Sequence, residues 1–135
     1  MNLKNRLTLV FIGFVIWAAA TMVFRAVGSS LFEHSALAYW GNVTVAGIVY
    51  AAASAGLMKG LGIAQKDWLQ GAVCIALPGM LGEIPILYGF HELMGNMHPE
   101  TAGRYAAFLF GGYGALISFA WLMSVNANPP LVSDK

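Results

Sequence analysis

Glu83 is the only charged residue in the stretch 68–90, which otherwise reads as apolar and small side chains. An ionised carboxylate in such surroundings needs a partner: a cation or hydrogen-bond donor on a neighbouring segment, or a proton or solute that it binds and releases. Arg25 and Asn42 are the candidate partners. Counted at 1.5 Å per residue from the helix ends predicted below, Glu83 lies roughly 13 Å deep, Asn42 about 9 Å and Arg25 roughly 4 Å. The long Arg side chain closes part of that difference. Glu83, Arg25 and Asn42 are therefore the expected polar cluster. It reads either as contacts that hold helices together or as a substrate- or proton-binding site.

The other chemistry-bearing residues give weaker patterns. His34, His91 and His98 accompany Glu33, Glu92 and Glu100, and imidazole with carboxylate suits zinc and related divalent metals. No two of the histidines stand at the i, i+4 interval of a helical metal motif, so a solvated rim is the expectation and no metal or other cofactor is assigned. A haem has no pair of histidines in apolar segments to hold it. Cys74 is single, lies in an apolar run and reads as a small buried hydrophobe. Asn42-Val43-Thr44 matches a glycosylation triplet by accident of position. Phosphate loops, serine elbows and paired cysteines are missing, and no catalytic residue is assigned.

The elements that must position Glu83 follow from composition. Hydrophobic residues make up 59% of the 135 residues and charged residues 10%, against roughly 45–50% and about 25% in soluble domains. So little charge cannot cover a water-facing surface. The scattered Lys and Arg residues make no patch for nucleic acid. A bilayer core about 30 Å thick is crossed by around 20 apolar residues. Four stretches have that length: 7–26, 36–58, 68–90 and 104–125. Arg25 and Arg104 stand at ends of the first and fourth, and only the third has a charge in its interior. The expected fold is all-α, an integral membrane four-helix bundle forming a single domain over 1–135. Short connections at Gly28–Ser35, Lys59–Asp67 and His91–Arg104 join the spans. Lys4, Arg6 and the small residues Ala18–Ala20 also resemble a secretory signal, but the apolar run continues past them far enough to span.

Lys4, Arg6, Lys59, Lys66 and Lys135 fall at one side and Arg25 and Arg104 at the other, which places both termini in the cytoplasm. Trp40, Trp68 and Tyr105 sit near predicted helix ends, where amphipathic rings favour the headgroup boundary. Small residues mark helix seams: Gly47, Ala51 and Ala55 with Ala52, Gly56 and Gly60 in the second span, and Gly111 with Ala115 and Gly114 with Ser118 in the fourth. They fit packing within the chain or a homodimer seam. Pro78 and Pro85 predict a kinked third helix, each releasing the carbonyl four residues back. Freed carbonyls belong against protein or water, not lipid. Pro99 suits the first position of the last helix, with Glu100 at its positive end.

Leu77-Pro78-Gly79-Met80-Leu81, the acidic residue at 83, Asn96-Met97, Pro99-Glu100, Ala102-Gly103 and the run Ala107–Tyr113 together resemble a family of small four-helix bacterial membrane proteins known as a domain of unknown function. The resemblance covers Gly71–Leu122 well and the first half more loosely, through Trp17, Phe24 and Arg25. In that family the acidic position is usually Asp, and a larger apolar residue stands in place of Gly82. The resemblance implies four helices in a bacterial inner membrane and supplies no activity.

Three functions compete. One is a non-catalytic membrane module, a subunit of an unidentified membrane partner or a small-molecule handling protein, in which the Glu83 cluster organises the bundle. Another is a small homodimeric transporter exchanging a proton on Glu83 for a cationic or polar solute; small multidrug exporters are analogous in size and helix number, though their carboxylate is in the first helix. The third, a membrane enzyme or quinone-binding protein, has only Trp17, Tyr88, Tyr113 and Trp121 behind it.

Overall fold

The computed structural model describes residues 1–127; Lys135, counted above for orientation, lies outside the described residues. Helix α1 runs over Leu3–Phe32, α2 over Ala36–Gly60, α3 over Trp68–Tyr88 and α5 over Ala102–Asn126, with a single-turn helix α4 at Phe90–Leu93. All but α4 are long and apolar enough to cross a membrane. Phe11, Phe14, Ile48, Ile84 and Phe110 lie more than half exposed on their outward faces. Such a surface belongs against hydrocarbon, because helices satisfy their backbone internally and need only apolar side chains toward lipid.

The caps are local. Asn2 accepts from the Asn5 N–H (2.8 Å) at the start of α1, and Ser35 accepts from the Ala38 N–H (3.1 Å) at the start of α2. Each satisfies a donor that the first helical turn leaves free. The first connection is shorter than expected: α1 takes up Gly28–Phe32, leaving only Glu33–Ser35 as the turn. Within this extension the Met97 side chain fills the space beside Gly28 that a β-carbon would need. Pro78 and Pro85 are both inside α3, which continues through them as one helix. Pro99 opens a 3-10 turn, Pro99–Thr101, that runs directly into α5.

Each long helix packs along a neighbour that is not its chain successor. α1 lies along α3, α2 along α5, and α3 meets α5, whereas α1 and α2 hardly touch although one short turn joins them. Close approach follows from small residues. The face of Gly13 meets the Ile75 carbonyl, Gly71 meets Met58 and Leu9, and on the other pair Gly47 faces Ala115 and Gly111 faces Val43. Half of the small-residue seams are thus packed within the chain. Ala52, Gly56, Gly60, Gly114 and Ser118 are exposed instead.

Two apolar clusters fill the ends of the bundle. At the end where α1 begins, Leu9, Met58, Ile63, Trp68, Leu116 and Ala120 pack together. The N-terminal ammonium of Met1 pairs with Asp67 there at 3.0 Å. At the far end, Phe24, Phe32, Phe90, Tyr105 and Phe108 meet mostly edge to face, with centroids 5.0 to 5.8 Å apart. These clusters correct the expected interfacial belt. Trp40 is exposed, but Trp68 and Tyr105 are core residues, because each ring turns inward where its polar atom finds a partner: Trp68 on the Ile63 carbonyl, Tyr105 beside Glu83.

Candidate functional site

Between the two clusters the bundle holds a cavity of about 210 Å³. All four long helices line it: Gly13, Ile16, Trp17 and Phe24 from α1, Tyr50, Ala53, Ser54 and Leu57 from α2, Ile75, Gly79 and Glu83 from α3, Tyr113 and Leu116 from α5. Ile16 is 52% exposed and Ala53 is exposed, yet both border the cavity. The opening therefore lies on the side where α1 and α2 part, on the lipid-facing surface of the bundle.

Glu83 is 2% exposed and is the only charged side chain on the cavity wall. The indole N–H of Trp17 donates to its Oε1 at 2.9 Å, and the Tyr105 hydroxyl approaches the same oxygen at 3.4 Å. The second distance is long for an O–H···O bond, so Trp17 is the principal donor. The other oxygen, Oε2, is buried with no hydrogen-bond partner. A buried carboxylate with one strong donor and no cation is uncompensated, and charge in a low-dielectric site costs several kcal/mol unless it is neutralised (roughly).

Local sequence explains the geometry. Gly82 leaves the space into which the Trp17 indole fits, Gly79 leaves room for the Tyr113 hydroxyl, and Gly112 leaves room for the Tyr50 ring. A β-carbon at any of the three would collide with an aromatic side chain. Gly79 and Glu83 are four residues apart, so Tyr113 and the carboxylate share one face of α3 a single turn apart.

The expected cluster of Glu83, Arg25 and Asn42 does not assemble. Arg25 is exposed and makes no ion pair among the described residues, because α1 extends to Phe32 and presents that position outward. Asn42 donates to the Leu31 carbonyl at 2.9 Å and so pins the α1–α2 turn. His34, His91 and His98 are exposed, and among the described residues no group of three or more His, Cys, Asp or Glu is placed to hold a metal. Of the four aromatics considered for a quinone or enzyme site, Trp17 and Tyr113 line the cavity, while Tyr88 is 96% exposed and Trp121 faces outward. Sequence reasoning missed Trp17 and Tyr105 as the partners of Glu83. The only signal for Trp17 was Gly82, a residue without a side chain directly beside the acid.

Four lipid-facing helices around a cavity with one buried acid define a small polytopic protein of the membrane-spanning type. The chain belongs to the family described as "Family of unknown function (DUF5367)", matched over residues 31–127. Glu83 and Tyr105 lie inside the matched segment and Trp17 outside it. No curated protein and no solved structure matches the chain.

Proposed function

We propose that the protein is a non-catalytic membrane module that takes one small, mostly apolar solute from the hydrocarbon phase into its cavity, with Glu83 as the polar anchor. It resides in the bacterial inner membrane with both termini cytoplasmic, as the positions of Lys4, Arg6, Lys59 and Lys66 favour. One observation carries the reading: Glu83, 2% exposed, lines a mostly apolar cavity that opens between α1 and α2, and its Oε2 has no hydrogen-bond partner among the described residues. Ligand sites are mostly apolar concavities with a few placed polar groups, which is the composition found here. The test is equilibrium dialysis of benzyl alcohol against the detergent-solubilised protein. Wild type should bind one equivalent, and Ala53→Trp, which obstructs the mouth, should abolish it. Equal uptake by both proteins, or none by wild type, would refute the reading.

Transport is the second reading, favoured by the absence of any fixed cation beside Glu83, since such an acid can alternate between a proton and a solute. In that case the protein works as a homodimer, and exposed small residues such as Gly56 and Gly114 are available for the seam. Reconstituted vesicles decide: proton-coupled solute flux should collapse in Glu83→Gln, and wild-type flux equal to that of empty liposomes would remove transport.

A further inference from the structure

We propose that the solute is a protonated amine with a compact apolar body, its ammonium group paired with Oε2 of Glu83 and hydrogen-bonded to the hydroxyl of Tyr113. The proposal rests on the solute-binding reading above and names the class of ligand.

Trp17 and Tyr105 both approach Oε1, so once Glu83 is ionised Oε2 is an acceptor with no partner among the described residues. Its ligand must donate. Among the lining residues there is no Lys, Arg or His, so the ligand must also bring the positive charge. An anion is repelled. A bare metal cation demands several oxygen ligands, whereas beside Glu83 the wall offers only the neutral hydroxyls of Ser54, Tyr50 and Tyr113. An organic ammonium meets both conditions, because its own carbon body satisfies the rest of the wall.

Tyr113 supplies the second contact. Its hydroxyl rests over Gly79, one helical turn before Glu83 on α3. Glu83 and Tyr113 both line the cavity, and an ammonium group has three N–H donors to divide between them. The rings of Tyr50 and Tyr113, with centroids 6.2 Å apart, add faces to which a cation is attracted. Size limits the body. A dry cavity of about 150 Å³ accepts benzene, so one of about 210 Å³ takes a single ring with a short amine arm. Charge is conserved by exchange: a proton leaves the carboxyl as the ammonium arrives. The titratable groups around Glu83 are Tyr50 from α2 and Tyr105 and Tyr113 from α5; α1 contributes Trp17 and no charge.

The experiment is calorimetric titration of the detergent-solubilised full chain with benzylammonium and with the neutral isostere benzyl alcohol. Wild type should bind benzylammonium with release of about one proton, read from the dependence of the heat on buffer, and affinity should rise about tenfold per pH unit. Glu83→Gln should weaken benzylammonium at least about tenfold more than it weakens benzyl alcohol, and Tyr113→Phe should weaken benzylammonium about threefold more than benzyl alcohol. If Glu83→Gln fails to fold, the pH dependence of the wild type decides. Flat affinity for benzylammonium, or equal loss of both ligands in the variants, would overturn the amine assignment while leaving an apolar solute site standing. Failure of both compounds to bind would remove the solute-binding reading itself.

Discussion

The indole of Trp17 and the carboxyl of Glu83, 2.9 Å apart, bridge α1 and α3 across 66 positions of sequence. The bond lies between the packed helices α1 and α3 and borders the cavity, so it both holds the seam and orients the acid. With Oε1 occupied from α1, Oε2 is the oxygen left without a hydrogen-bond partner among the described residues.

Trp17→Phe should therefore destabilise the protein by about 1–3 kcal/mol, the value of a hydrogen bond to a charged or buried acceptor. Trp121→Phe, on an outward face, should stay within about 0.5 kcal/mol. Unfolding in a denaturing detergent series reads both. Equal stability of the two variants would show that the indole contact contributes nothing.

A double-mutant cycle separates the two candidate partners of the acid. Trp17→Phe with Glu83→Gln should show a coupling of about 1–2 kcal/mol, whereas Arg25→Gln with Glu83→Gln should be additive within about 0.5 kcal/mol. Strong coupling to Arg25 would restore the ion pair expected from sequence.

Gly13→Ala should push α1 off the Ile75 carbonyl and cost about 1–3 kcal/mol, because the obstacle is backbone and cannot swing aside. Gly114→Ala meets open space and should be tolerated within about 0.5 kcal/mol. Thermal midpoints in detergent compare them directly.

At the far end of the bundle, Glu33 accepts from the Thr101 hydroxyl at 2.6 Å and the His98 N–H at 2.7 Å, fastening the connection before α5 to the end of α1. The Thr101 hydroxyl first, then the His98 N–H, hold its carboxyl below the ordinary carboxylate range. A depressed carboxyl contributes stability that is present above its unfolded value and is lost as pH falls through the folded one. Glu33→Gln should thus lower the thermal midpoint at neutral pH, and the difference from wild type should shrink on acidification below the normal carboxylate range. A constant difference down to acid pH would contradict the assignment.

The four spans were legible because length and lack of charge alone define them, and the entry to the last helix at Pro99 follows from local backbone chemistry. Glu83 stood out for the same reason. Its surroundings did not, because the partners come from α1 and α5 at separations that no periodicity encodes. Arg25 was the electrostatically obvious partner, yet which face of a helix a residue occupies depends on the packing of the whole bundle. Hydropathy is also blind to inside and outside when both surroundings are apolar, so Tyr105 and Trp68 read as boundary residues although they are core. Gly79, Gly82 and Gly112 carried the missing information, since each marks where an aromatic ring approaches, but nothing in sequence says which ring.

The claim that Glu83 faces a cavity reached from the hydrocarbon is tested most directly by carbodiimide labelling of the protein in lipid vesicles, read residue by residue by mass spectrometry. Diisopropylcarbodiimide, which partitions into lipid, should modify Glu83, its water-soluble charged counterpart should not, and benzylammonium should protect the residue. Absence of modification at Glu83 by the lipophilic reagent, or modification by the water-soluble reagent alone, would contradict the account.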